Sequence, residues 1–438
     1  MIAGALLLAG LVAGDSIPQV TRAQAIERAT RLDPNYVRAL GQVGTAEWAR
    51  RSVRSSFVLP SLTVASDYAG YSVDIFNIGT AKPARTIVTA RVDARYELFT
   101  GGRKLSEMKR VNAELDAARG TEVQVQFLSA LATEGDYYAV LGGRELLDVA
   151  RDRLKRAQEQ LVVARARVVS GAVVQTDSLQ ILLEVNRAQV ALLRETARLE
   201  VARLQLGRRV GTRGAVDAAP IDSVLPEALP VTLPAAVALA LEQGPEWRVA
   251  RSNEQSTAAA IKSRTAAYFP QISLSANVTR FGDAFFPSGL ARRNFAISAS
   301  FPIWDNFQRE TAIDRARVAH DVARAARDDL ERAAEVDVTE AYQAHRTALL
   351  TARYAEQGVH VAQETYRVQQ ARYRAGASTI LDLLDAQTRL TEAAAELVQA
   401  RYATRLALAG LEALIGQRFH DLGKIGRASC RERVCLAV

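Results

Sequence analysis

The chain has 438 residues, of which 49% are hydrophobic and 24% charged, with 12 prolines, 4 histidines and 2 cysteines. Abundant Ala, Leu, Val, Arg and Glu with few prolines favour long helices. The net charge of +8 is modest for this length, and Arg and Glu alternate along helical runs with no compact basic stretch carrying interleaved aromatics, which argues against a nucleic-acid surface.

Met1 to Gly14 is apolar and ends on small residues, like the core and cleavage end of a secretory signal. Its charged start is missing, which fits a truncated beginning. The segment is too short to span a bilayer as a helix, and no later run is apolar enough. Ser16 to about Leu32 reads as a short helix that stops at Asp33-Pro34, and Asn35 to about Phe57 as a second that stops at Leu59-Pro60. Proline ends helices through its missing N–H and its clash with the preceding turn. The same layout returns later: a short helix over Leu233 to Leu241, a break at Gly244-Pro245, and a helix from Glu246 to Tyr268 that leads into Phe269-Pro270.

After each second helix the hydrophobic period changes to two. Val88, Ala90, Val92, Ala94, Tyr96 and Leu98 alternate with Thr89, Arg91, Asp93, Arg95 and Glu97, the pattern of a strand with one apolar face. Ile272, Leu274, Ala276 and Val278 alternate with polar neighbours, and so do Phe295, Ile297, Ala299, Phe301 and Ile303. Strands are therefore expected at about 61–71, 86–99, 271–281 and 294–304. Strands of about ten residues match what a tilted strand needs to cross a bilayer. Four strands cannot close alone, since the smallest outer-membrane barrels have about eight, so membrane strands would require several chains to share one barrel. The alternative is two soluble hairpins on a helical protein.

Long helices follow each strand pair. Arg103 to Ser170 lacks proline, with Gly120, Gly135 and Gly142-Gly143 as places where it could bend, and Val174 to about Leu206 returns antiparallel. Phe307 to Ala375 and Thr379 to Ile415 do the same in the second half. In the last helix Leu383, Leu390, Leu397 and Leu411 recur at heptad spacing, interrupted by Thr404, with Ala394, Arg401, Leu408 and Ile415 as the companion seam. The chain thus divides into a signal-like segment (1–14), a first structural repeat (15–206), a linker (207–230), a second repeat (231–417) and a tail (418–438). Both cysteines, Cys430 and Cys435, lie in the tail. From Lys424 it resembles a translated sequencing adapter, so a zinc or disulfide reading of them is empty. Without Lys424 to Val438, which holds four basic residues and one acidic, the net charge falls from +8 to +5.

One stretch organises the second repeat: Tyr373-Arg374-Ala375-Gly376-Ala377-Ser378-Thr379-Ile380-Leu381-Asp382-Leu383-Leu384-Asp385-Ala386-Gln387. Gly376 reads as a helix C-cap, and Ser378 or Thr379 as the N-cap of the next helix. Asp382 and Asp385 then lie on one face near the positive end of the helix dipole. Arg167 to Leu179 repeats the layout, with Gly171 standing to Gly376 as Asp177 stands to Asp382. Two helical hairpins with acidic tips result; capping and solvation are the simpler account of those carboxylates.

The duplicated order of helix, strands and helical hairpin resembles the TolC family of outer-membrane efflux and secretion channels over about Ile17 to Gln417. So do Phe301-Pro302-Ile303-Trp304-Asp305-Asn306 and the Tyr373 to Gln387 stretch. The resemblance implies a mainly α fold with a small β part: coiled-coil hairpins forming a periplasmic α-barrel, and four transmembrane strands per chain that make a twelve-stranded barrel in a homotrimer. It implies that Asp382 and Asp385 ring the periplasmic entrance, and that Asp177 and Tyr373 act as a latch between coiled coils. The latch's arginine partner is replaced here by Ser378. The hairpin tips at Gly171, Ala172, Gly376 and Ala377 would contact a periplasmic membrane-fusion adaptor. An inner-membrane pump or ABC transporter would supply the energy, and outer-membrane lipid would surround the strands. The implied function is a passive exit duct for small molecules (drugs or metal ions). Type I protein secretion is the alternative cargo, and a secreted soluble coiled-coil scaffold the non-channel alternative. No enzyme, cofactor or metal site is expected: there is no G-x-x-x-x-G-K-[ST] loop, and His320, His345, His360 and His420 lack metal-binding spacing and read as helix-surface residues.

Overall fold

The structure, a computed structural model, describes residues 17–171, 174–221, 229–283 and 289–419. Its helices are α1 (Arg22–Leu32), α2 (Pro34–Ser55), α3 (Arg103–Val169), α4 (Gln175–Arg209), α5 (Leu233–Gln243), α6 (Pro245–Thr265), α7 (Gln308–Arg374) and α8 (Ile380–Ile415). Its strands are β1 (Gln19–Val20), β2 (Ser61–Asn77), β3 (Lys82–Phe99), β4 (Asp217–Ala218), β5 (Gln271–Gly282) and β6 (Ala291–Ser300). They form two compact units. Among the described residues, one comprises 39–122, 245–283 and 289–333; the other comprises 17–38, 123–171, 174–221, 229–244 and 334–419. Each unit draws on both halves of the chain, so the compact units do not follow the boundaries of the sequence repeats.

The first unit holds a four-stranded antiparallel sheet in the order β2-β3-β5-β6. Its register stacks like on like. Val64 pairs with Val92 and Val92 with Val278; Tyr96 pairs with Leu274 and Leu274 with Ile297; Ala276 pairs with Phe295. Because paired residues share a face, one face of all four strands is apolar. It is also exposed: Leu62, Val64, Tyr68, Phe295 and Ile297 each keep about two thirds or more of their surface. The opposite face carries Arg91, which lies 3.8 Å from Asp67 and 3.6 Å from Asp93. Among the described residues β2 and β6 have no strand on their outer sides.

The strand ends differ from the sequence expectation. The first hairpin runs on to Asn77 and resumes at Lys82, where 72–85 reads as a loop. A register slip between Gly70 and Ile75, and Pro83 paired with Phe76, break the alternation while pairing continues. The last strand spans Ala291–Ser300 rather than 294–304. Arg292 and Arg293 mask its start, and Pro302, with no N–H to donate, follows its end. The chain then turns through Asn306 (φ 56°) and Phe307 (φ 62°). The equivalent turn after β3 uses Gly101 (φ 60°) and Gly102 (φ 88°). Arg309 binds the carbonyls of Pro302 and Ile303 at 3.0 and 3.4 Å, and Lys104 binds those of Ser56 and Glu97 at 2.7 and 2.9 Å.

In the second unit the long helices carry the packing. The α8 seam is buried at Leu383, Leu390, Leu411 and Ile415; Thr404 is buried with them and donates its hydroxyl to its own Ala400 carbonyl at 2.9 Å. Helix α3 is uninterrupted. Gly142 and Gly143 admit Tyr402 and Leu199, whose side chains lie 3.2 and 3.4 Å from where a Cβ would stand. Residues 17–20 are not helical: β1 pairs in parallel with β4, and a capping box of Thr21 and Gln24 starts α1. Asp217 in β4 is held by Arg144 and by Arg203 at 2.7 Å. His345 is a correction to the surface reading, being 1% exposed on α7. His320 and Thr257 both lie within the first unit and meet at 3.3 Å, and His420 lies outside the described residues. After Gly416 turns the chain out of α8 at φ 74°, Arg418 reaches Glu134 at 2.8 Å and the Phe419 amide donates to Glu412 at 2.8 Å.

Candidate functional site at the hairpin tips

The tip between α7 and α8 is built by backbone chemistry. Gly376 sits at φ 76°, a conformation in which a Cβ costs energy. Its amide bonds the Tyr373 carbonyl at 3.1 Å, and the Ala377 amide bonds that of Arg372 at 2.8 Å. This pair closes the helix as a Schellman motif. Thr379 then caps α8. Its Oγ1 accepts from the Asp382 amide at 3.2 Å, while its own amide and hydroxyl donate to Asp382 Oδ2 at 3.0 and 2.8 Å. These bonds, with Arg372 at longer range, hold the Asp382 carboxyl below its usual range. One turn on, Asp385 accepts from Arg389 Nε at 2.8 Å. Asp382, Asp385 and Arg389 are all exposed.

The tip between α3 and α4 follows the same plan with one omission. Gly171 sits at φ 75° and bonds the Val168 carbonyl at 3.0 Å. The N-cap of α4 is Val174, which has no side chain able to cap. Asp177 lies in the first turn, half-buried. Ala172 falls outside the described residues.

The four helices meet just behind the tips, where Ala164, Ile181, Tyr366, Tyr373, Ile380 and Leu383 form one apolar cluster. Tyr373 is 3% exposed. Arg167 crosses from α3, lays its guanidinium 4.8 Å from the Tyr373 ring centre and donates to the Tyr373 carbonyl. The Tyr373 hydroxyl finds no hydrogen-bond partner among the described residues. Burial, then the charge of Asp177, push its pKa up, against the pull of Arg167. Asp177 and Tyr373 are thus near enough to feel each other, but no hydrogen bond joins them. The Ser378 hydroxyl is also unpartnered. Arg167 is the residue that sequence reasoning passed over. It lies within the duplicated stretch, yet its role depends on a contact between hairpins that spacing does not encode. Among the described residues no group of three or more His, Cys, Asp or Glu could hold a metal ion. The exposed carboxylates of α8 can attract cations and oppose anions.

The sequence profile of the outer membrane efflux proteins matches residues 26–212 and 236–417. Nodulation protein T of Rhizobium leguminosarum bv. trifolii is 25% identical over 288 residues, a match that spans 64% of this chain and 61% of that protein. Among solved structures, a membrane protein from Pseudomonas aeruginosa aligns with a TM-score of 0.77 at 19% identity, over 92% of this chain and 91% of that one. The Vibrio cholerae outer membrane protein VceC gives 0.76 at 17% identity over 91% and 96% of the two chains. The open-state MtrE outer membrane channel of Neisseria gonorrhoeae gives 0.71 at 20% identity over 91% and 89%. At such identities the structural likeness establishes the fold, while the profile covers most of the chain. This is a protein of the bacterial outer membrane with a TolC-like fold, and it belongs to the outer membrane efflux protein family.

Proposed function

We propose that three copies of this chain form a passive exit duct. Their strands make a twelve-stranded barrel in the outer membrane, and their long helices a hollow barrel reaching through the periplasm. The observation that carries this reading is the four-stranded sheet, with one exposed apolar face and, among the described residues, two unpaired edges. Open edges cannot stand in lipid, and four strands cannot close on themselves. Copies related by symmetry supply the missing neighbours. The duct receives small molecules from a periplasmic adaptor and an inner-membrane pump, which provides the energy. The adaptor contacts the hairpin tips at Gly171, Gly376 and Ala377. Asp382 and Asp385 form the charged ring of the periplasmic entrance, and Asp177 and Tyr373 its latch. The Tyr373 hydroxyl supports the latch, because a buried donor with no partner among the described residues is suited to one supplied by a neighbour.

The test is planar-bilayer conductance of the detergent-extracted protein, with its mass measured in the same preparation. A species of three chains with cation-biased conductance is expected. A water-soluble monomer or dimer that conducts nothing would overturn the duct and leave a coiled-coil scaffold with ordinary hairpins.

A further inference from the structure

The first half of α8 carries a single exposed row. Asp382, Asp385, Arg389, Glu392, Glu396 and Gln399 follow one another at alternating steps of three and four and are all exposed. That spacing keeps them on one line along a supercoiled helix. Leu383, Ala386, Gln387 and Leu390 are buried on the opposite side. The row reads acid, acid, base, acid, acid, amide, so Arg389 is its one cation.

The two entrance carboxylates are held differently. Asp382 is bonded by the amide and hydroxyl of Thr379, which are neutral, and has a cation, Arg372, only at longer range, so no ion pair matches its charge. Asp385 is matched by Arg389 on its own helix at 2.8 Å. Both partners of that pair keep more than 60% of their side-chain surface. An ion pair so exposed adds little to stability. What it changes is the charge that a passing solute meets.

We infer that Arg389 is a specificity-determining residue of the entrance: it compensates Asp385, leaves Asp382 to set the ion preference, and lowers the barrier to anionic and zwitterionic solutes. This rests on the reading of Asp382 and Asp385 as an entrance ring. A ring of six uncompensated carboxylates would repel any cargo carrying a negative group. A ring in which half of them are matched by a guanidinium selects less steeply.

The test is the reversal potential of the full chain in planar bilayers under a potassium chloride gradient. Arg389→Gln is expected to raise the cation-to-anion permeability ratio by about twofold or more, as expected when a charged ring loses its counter-charge. Arg389→Lys should keep the wild-type ratio. The double variant Asp385→Asn with Arg389→Gln removes both members of the pair and should return the ratio toward wild type. Asp382→Asn should lower it. If Arg389→Gln leaves the ratio unchanged while Asp382→Asn lowers it, the role of Arg389 is overturned and the ring stands. If neither Asp382→Asn nor Asp385→Asn moves the ratio, the ring reading itself is overturned.

Discussion

At the scale of the residue, the two hairpin tips form a natural comparison. Both end a helix on a left-handed glycine and reach the next N-cap three residues later, but one N-cap is Thr379 and the other Val174. Thr379→Ala should cost about 1 kcal/mol in unfolding free energy. Val174→Thr should gain a few tenths up to about 1 kcal/mol, since Asp177 already stands where a capping box needs its acid. The Thr379 contribution is pH-dependent. Bonding depresses the folded pKa of Asp382, so the stabilisation is full above the ordinary aspartate range and is lost as pH falls through the lower folded value. A pH series of chemical denaturation on wild type and Thr379→Ala should therefore show a gap that narrows in acid to what the neutral bond from the Asp382 amide to Thr379 Oγ1 supplies; a gap that does not narrow would refute the carboxylate's share in the cap. Tyr373 offers a second test. Because its hydroxyl is buried without a partner among the described residues, Tyr373→Phe should leave monomer stability unchanged or slightly raised, yet increase conductance if that hydroxyl latches the entrance. Arg167→Ala removes a carbonyl bond and a stacked cation, and should cost about 1–2 kcal/mol. The acidic face of α8 was legible because helical spacing alone places Asp382 beside Asp385. The Arg167 contact was not, since it joins helices far apart in sequence.

At the scale of the element, proline and glycine set the helix boundaries, and those were readable to within a few residues: α2 begins on Pro34, α6 on Pro245, and α8 ends at Gly416. Strand identity was readable from period-two alternation, but strand length was not. Pairing in the first hairpin continues through the register slip after Gly70, where side-chain alternation is no longer a guide. The β1–β4 pair escaped notice because strands of two residues carry no period. The turns after the strand pairs carry a measurable difference. Asn306 and Phe307 occupy left-handed conformations that Gly101 and Gly102 fill without steric cost. Asn306→Gly should relieve up to about 1 kcal/mol of backbone strain while sacrificing the 2.9 Å bond from Trp304 Nε1. Phe307→Gly should not be a gain, because its ring packs edge-on to Trp304 at 4.8 Å. Thermal unfolding of the two variants should place Asn306→Gly above Phe307→Gly; the reverse order would show that φ is not what limits this turn.

At the scale of the whole molecule, one buried group couples the stability of the chain to pH. Glu412 is pushed up by burial, despite the bond from the Phe419 amide and the nearby Arg418. An acid with a raised folded pKa contributes most below its unfolded value and loses that contribution as pH rises through the folded one. Wild-type stability should therefore decline over the window just above the ordinary glutamate range. Glu412→Gln, which keeps an acceptor for the Phe419 amide, should be flatter there; an unchanged slope in the variant would assign the pH dependence to other groups. The order of the sheet has a further consequence, for how the protein is made. Its central pairing joins β3 to β5, setting Val88 against Gly282 and Tyr96 against Leu274 across the whole α3–α4 hairpin, the linker, α5 and α6. Each strand pair can zip locally as it emerges, but the joint between pairs must wait for synthesis of the second half, and long-range pairing of this kind is slow. Until then the first strand pair presents an apolar face and a β3 edge whose partner strand has not yet been made.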